Sequence, residues 1–520
     1  VSALRKLRGV AVPAAATVLL GVLWAVSLRK SLTGDEAYAA ALAGSRLHSL
    51  LSAVALDCHV PGYFLALWVW VGLFGSSLLV IRLSSLLCGA ASLGFASRRG
   101  AAAAMLMACN PFMLHISTEI RMYGLLALAG VLFALLLTRL EKGCDPRAMI
   151  LLRLLSMASV WIHYFAWPLV LASILVLLRL GRRRDAAILL GLSAASILPW
   201  LPSAAGQLDR FGPGAESVSS GLTERADLLH SILGIPFSLA GTLLRFSAGT
   251  APFRFEQFSI SGMGPWALAG VIVMLLYCAA VFAGLGRSGF ALPAILVSTL
   301  LPLSLLRPSA RHMAGAFPAF VMLAAAGVSR LPARLRWILP AASLAMCIPF
   351  AARTTLPQRC RFDRDLMEAA EVAAAASDST GAPVVLFLDN FTSLALLYHL
   401  EDEGHGSVPV WSPHARHFTY ERYFYVSVTQ AVAYLTGDTD SLFSALEDSL
   451  GGGFVLVAND PREVRGPRHG PGGAIVGTGS DTMADADLIE ALEEGMRLEE
   501  LPLRHSEGPF SVFLATPRDR

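Results

Sequence analysis

The feature that most constrains this chain is a succession of apolar runs, each close to the length needed to cross a lipid bilayer. They fall at about 9–28, 75–97, 101–118, 122–140, 149–163, 165–180, 187–205, 265–285, 290–306, 313–330 and 337–352. A spanning helix needs about 20 apolar residues, with about 17 as the lower limit. Hydrocarbon offers no partner to backbone N–H and C=O groups, so only helices and closed barrels span it. Uninterrupted Ala- and Leu-rich runs of this length predict helices. Composition agrees: 55% of residues are hydrophobic and 15% charged, against about 25% charged in an ordinary soluble domain. That excludes a single soluble globular domain, a disordered chain and a nucleic-acid binder.

The net charge of +3 conceals a division. Residues 1–352 hold 28 Lys+Arg and 12 Asp+Glu, a balance of +16; residues 353–520 hold 13 and 26, a balance of −13. A basic apolar part followed by an acidic part of ordinary composition predicts two domains in two solvents. The first, 1–352, is expected to be a membrane helix bundle. The second, 353–520, is expected to be a small α/β domain, with strands near 384–388, 423–428 and 453–458 and helices near 365–376, 440–450 and 485–494. No CxxC occurs among the seven cysteines, and Cys360 alone lies in the acidic part, so neither a zinc ribbon nor an internal disulfide is expected there.

Basic clusters at 5–8, 98–99, 139–147, 182–184, 287 and 330–336 mark the cytoplasmic side. Each gap between clusters must then hold an even number of spans, so the stretch 61–73, with Trp68 and Trp70, is read as an interfacial or re-entrant helix. The result is about eleven spans, an inside N-terminus and an outside C-terminal domain, with run 9–28 read as a retained anchor. The outer face then carries the loop 30–74, turns near 119–121 and 163–165, a long loop 206–263, the turn 307–312 and residues 353–520.

Carboxylates are scarce in the first part, so their positions carry information. Asp35, Glu36, Asp57 and Glu119 fall on the outer face, at the level of Arg82, Arg121, Arg307, Arg311 and His312. Acids and fixed cations beside an apolar bundle suit a substrate with an anionic head and a lipid tail. A phosphate leaving group needs cationic stabilisation, and an attacking hydroxyl needs a general base.

The same segments carry a resemblance. Gly34-Asp35-Glu36-Ala37-Tyr38 follows the first span, then Asp57-Cys58-His59-Val60-Pro61-Gly62-Tyr63 and Ile81-Arg82-Leu83-Ser84. Asn110-Pro111, Glu119-Ile120-Arg121-Met122-Tyr123, His163-Tyr164, Pro199-Trp200-Leu201-Pro202 and Arg311-His312 with Pro318 come in order behind them. Over about 1–330 the chain resembles the GT-C superfamily of integral-membrane glycosyltransferases. The similar branch includes the lipid A aminoarabinose transferases and the protein O-mannosyltransferases. The second motif departs from the family's paired prolines, and His59 stands where some branches place a lysine.

That resemblance implies a GT-C type fold and a polyprenyl-phosphate-sugar donor. It further implies an acceptor on a cell-envelope glycan, a glycolipid or a protein, and residence in a prokaryotic inner membrane. Asp35 would be the general base. Glu36, Asp57, His59, Arg82, Glu119, Arg121, Tyr123, His163, Arg311 and His312 would bind substrate, with Arg121 and Arg311 on the lipid phosphate. No cofactor is expected, and a divalent metal stays open because Asp57-x-His59 could supply two ligands. The residues taken alone leave alternatives. Asp35 could cap a helix, and Glu119 and Arg121 could be a structural ion pair. An oligosaccharide ligase or polymerase, or a lipid transporter, could share the scaffold. Gly284-x-Gly286-x-x-Gly289 joins two apolar runs and follows no strand, so it is not read as a dinucleotide loop.

Overall fold

The structure of the protein, a computed structural model, describes residues 14–25, 34–143, 145–211, 226–249, 265–306, 310–355, 357–387, 396, 399–400, 410–412, 424–425, 453–459, 496–503 and 510–517. The basic cluster at 5–8, Arg307 and the helices expected at 440–450 and 485–494 lie outside the described residues. Contacts divide the chain into two units: Val1–Arg29 with Cys58–Thr355, and Lys30–Asp57 with Leu356–Arg520.

The first unit is helical. Among the described residues, four helices are long and apolar enough to cross a membrane: Leu78–Arg99, Tyr123–Lys142, Arg183–Leu208 and Trp266–Leu285. They become five if the bent pair Ala101–Ala108 and Pro111–Thr118 is one span. Six shorter apolar helices accompany them, at Ala14–Ala25, Gly62–Phe74, Tyr164–Arg179, Ala291–Pro302, Phe317–Val328 and Ile338–Ile348. On Trp266–Leu285, the exposed Leu268, Leu275 and Phe282 stand seven residues apart. They form one apolar stripe along the helix, a surface suited to lipid rather than water. On the packed side, a Cβ on Gly284 would overlap the Leu323 carbonyl, and one on Gly327 the Ala280 carbonyl. These glycines let two backbones touch, as small residues do between membrane helices. Gly284 therefore serves helix packing.

Two features differ from the sequence-based expectation. The run 101–118 is not one straight helix: its halves meet at a bend of 64°. Pro111 has no N–H to continue the first half. Asn110 begins the second half by accepting hydrogen bonds from Phe112 N (2.8 Å) and Met113 N (3.4 Å). The stretch 206–263, expected to be an outer loop, contains a 23-residue helix, Ala226–Ala248. It packs against the helices Pro265–Leu285 and Ala291–Leu306. The helix Gly62–Phe74 has 13 residues, about 20 Å at 1.5 Å per residue, which is short for a crossing. A Cβ at Gly62 would collide with the Trp161 carbonyl, so this helix starts in backbone contact with the end of Pro146–Ile162.

The second unit combines a helical pair, Gly34–Gly44 and Leu47–Leu56, with a six-stranded sheet. Its strands are β1 (Val384–Phe387), β2 (Val410–Ser412), β3 (Phe424–Tyr425), β4 (Phe454–Asn459), β5 (Met496–Leu501) and β6 (Phe510–Pro517), in the order β3-β2-β1-β4-β6-β5. The first four run parallel, and β6 pairs antiparallel with both β4 and β5. Val384–Leu386 and Phe454–Val457 are buried without alternation, as expected for central strands covered on both faces. The helix Pro357–Thr380 packs on β1, β4 and β6.

Candidate functional site

The bend at Asn110 places a charged cluster in the first unit. The helix Pro111–Thr118 carries His115 in its last turn and ends at Glu119, whose backbone is extended (φ −86°, ψ 137°). His115 Nε2 lies 3.2 Å from Glu119 Oε1, and Arg311 Nη1 lies 3.8 Å from the same oxygen. Ser85 Oγ donates to the Glu119 carbonyl at 2.6 Å. That bond ties the turn to the helix Leu78–Ala96, where the buried Arg82 sits one turn earlier.

Beyond Glu119 the chain stays buried through Ile120 and Arg121, the latter only 4% exposed. Arg121 Nη2 meets His59 Nε2 at 3.3 Å. A guanidinium only donates, so that imidazole nitrogen accepts. Gln207 Nε2 donates to the His59 carbonyl at 2.9 Å, and the Tyr164 hydroxyl donates to Gln207 Oε1 at 2.7 Å. Tyr123 Oη lies 3.2 Å from His312 Nε2, and the Arg311 guanidinium lies 5.4 Å from the Tyr123 ring centre.

His163 joins the helix Pro146–Ile162 to the next turn, and its ring sits among these groups. Ring centres are 5.9 Å from His59, 5.6 Å from His312 and 6.2 Å from Tyr123, with Phe165 stacked at 5.0 Å. Burial holds its pKa well below the ordinary histidine value, and His59, His312, Arg121 and Arg311 push it the same way. The helix Ala226–Ala248 packs against the Ala310–Met313 turn and carries Arg245 in its last turn. The cluster therefore gathers arginines and imidazoles around one carboxylate, an arrangement suited to an anion with several oxygens.

Of the residues expected from sequence, His59, Glu119, Arg121, Tyr123, His163, Arg311 and His312 come together here, with Arg82 on the helix bonded to the Glu119 turn. Asp35, Glu36 and Asp57 belong to the second unit. Asp35 and Glu36 occupy the first turn of Gly34–Gly44, where the helix dipole favours carboxylates. Asp35 is partly exposed and Glu36 fully buried. Adjacent helical residues point about 100° apart, so the two carboxylates face different surroundings. Asp57 closes the helix Leu47–Leu56, its N–H on the Ala53 carbonyl. Sequence reasoning missed His115 and Gln207. The i,i+4 spacing of His115 and Glu119 was available as a signal, whereas Gln207 is linked to the cluster only through the fold.

No family model matches the chain, and no curated protein matches it. In structure it matches ArnT from Cupriavidus metallidurans, solved in the apo state and bound to undecaprenyl phosphate. Each comparison has a TM-score of 0.58 and 13% sequence identity, covering 96% of this chain and 97% of that one. This chain has the ArnT fold. The likeness is one of fold, and it agrees with the fold that the sequence resemblance implies. The likeness extends over nearly the whole of both chains.

Proposed function

We propose that the protein transfers a sugar from a polyprenyl-phosphate carrier to an acceptor hydroxyl on the outer face of a prokaryotic inner membrane. The observation that carries this reading is the cluster in which buried Arg121, His163 and Glu119 meet half-buried Arg311 and His59. It occurs in a chain with the fold of a protein crystallised with undecaprenyl phosphate. Arg121 and Arg311 bind the phosphate, and their charge stabilises it as it leaves. Asp35 takes the proton from the acceptor hydroxyl. The acceptor oxygen attacks the anomeric carbon from the side opposite the phosphate and forms the new C–O bond. The bond from that carbon to the phosphate oxygen breaks, and the configuration inverts. Glu36 and Asp57 contribute to sugar and acceptor binding. No cofactor enters these steps. The acceptor is a cell-envelope glycan, a glycolipid or a protein. The chain crosses the membrane several times, with the N-terminus cytoplasmic and residues 353–520 extracytoplasmic.

The reading is tested by binding of undecaprenyl phosphate, with undecaprenol as control, to the full chain in detergent. Wild type is expected to prefer the phosphate. Arg121→Ala and Arg311→Ala should each lower that preference about 10- to 100-fold, the usual effect of losing a hydrogen bond to a charged group. Equal affinity of wild type for phosphate and alcohol would overturn the proposal.

A further inference from the structure

The His163 ring is fixed in one tautomer. Its Nδ1 accepts the backbone N–H of Phe165 at 3.0 Å, so Nδ1 carries no proton and a neutral ring must carry its proton on Nε2. An imidazolium would set a second N–H against the Phe165 amide. The side chain is 6% exposed, and Nε2 has no hydrogen-bond partner among the described residues. A buried donor left without an acceptor is costly, and a polar atom in that state points to a ligand that supplies one. The titratable and charged groups around it are His59, His312, Arg121 and Arg311, with the Tyr123 ring alongside. Among these, the arginines can offer no acceptor.

We infer that His163 is a neutral hydrogen-bond donor to the lipid phosphate, its Nε2–H directed at a phosphate oxygen that Arg121 and Arg311 also hold. This rests on the reading of the cluster as a phosphate site and adds a distinct role within it. The arginines supply charge, while His163 supplies a directional N–H that stays neutral. It therefore neither competes for the proton released by the acceptor nor adds a fixed charge that would hold the departing lipid phosphate. The ligand class is a polyprenyl phosphate, a diester in the sugar donor and a monoester once the sugar has left, recognised at its non-bridging oxygens.

Two substitutions separate the halves of the ring. In His163→Asn, the amide oxygen can accept the Phe165 N–H as an Asx turn does, but the donor at the Nε2 position is gone. In His163→Gln, the longer amide restores an N–H near the Nε2 position. With the full chain in detergent, His163→Asn should bind undecaprenyl phosphate about 10- to 100-fold more weakly than wild type, and His163→Gln should recover most of that loss. Undecaprenol should bind all three alike. In wild type labelled with ¹⁵N-histidine, His163 should show the neutral Nε2–H tautomer, and its Nε2 resonance should move on adding undecaprenyl phosphate but not undecaprenol.

Unchanged phosphate affinity in His163→Asn overturns the inference while leaving the phosphate site intact, provided wild type still prefers the phosphate. Failure of wild type to distinguish phosphate from alcohol overturns both. A variant that misfolds loses undecaprenol binding as well, and the wild-type ¹⁵N measurement then decides: an unmoved Nε2 resonance overturns the assignment.

Discussion

Asn110 is the residue on which the geometry of the cluster most depends, and its replacement by alanine can be worked through from its bonds. Its side-chain oxygen accepts Phe112 N and Met113 N, which starts the helix Pro111–Thr118. Its Nδ2 donates to the Phe246 carbonyl at 2.8 Å and to Tyr277 Oη at 3.2 Å. Phe246 lies in the last turn of Ala226–Ala248, where carbonyls have no partner within the helix. One side chain thus closes the end of one helix and the start of another. Removing the N-cap costs about 0.5–2 kcal/mol. Leaving the buried Phe246 carbonyl without its donor costs about 1–3 kcal/mol more. Tyr277 loses less, because its hydroxyl also pairs with Ser343 Oγ at 2.8 Å. Asn110→Ala should therefore destabilise the protein by about 2–5 kcal/mol. Asn110→Ser, which keeps a cap oxygen but cannot reach Phe246, should fall between. The assay is denaturant unfolding in mild detergent, followed by tryptophan fluorescence. If Asn110→Ala lies within about 0.5 kcal/mol of wild type, a scatter typical of neutral surface changes, the double-cap account is refuted.

Gln207→Leu removes the hydrogen bonds that link Gln207 to the Tyr164 hydroxyl and the His59 carbonyl; a loss of about 1–3 kcal/mol in the same unfolding assay is expected, and a neutral result would refute the linkage. His163 gives a pH dependence. Its folded pKa lies well below the ordinary histidine value, so the unfolded chain takes up the proton first and stability falls as pH drops below about 6.5. The limiting slope is about 1.4 kcal/mol per pH unit. His163→Asn should remove this component, and an unchanged acid limb of the stability–pH curve would contradict it.

Much of the bundle is legible in the sequence because a spanning helix leaves a direct trace, an apolar run of set length. The charges of the cluster are legible because lipid makes ionised groups scarce, so Glu119, Arg121 and Arg311 stand out. The bend inside 101–118 is only half legible. Asn110-Pro111 marks a helix start, but the partners that fix it, Phe246 and Tyr277, lie 136 and 167 residues away. The helix Ala226–Ala248 escapes because its apolar stretch is interrupted by His230, Pro236, Thr242 and Arg245, and its packing against two neighbouring helices has no local signal. In the second unit, β1 and β4 read as buried strands from their β-branched runs. β5 (Met496–Leu501) has the sequence MRLEEL, which favours a helix by propensity. Its pairing with β6 overrides that preference. Gln207 could not be found from sequence, since a lone glutamine near an interface has no distinguishing pattern.

The proposed polyprenyl-phosphate sugar transfer with Asp35 as the base is tested by sugar release from a radiolabelled polyprenyl-phosphate donor, in membranes, by wild type and Asp35→Asn. A positioned general base contributes about 10²–10⁴ in rate. Asp35→Asn should lose turnover by that factor, with undecaprenyl phosphate binding retained. Equal turnover by the two proteins would contradict it.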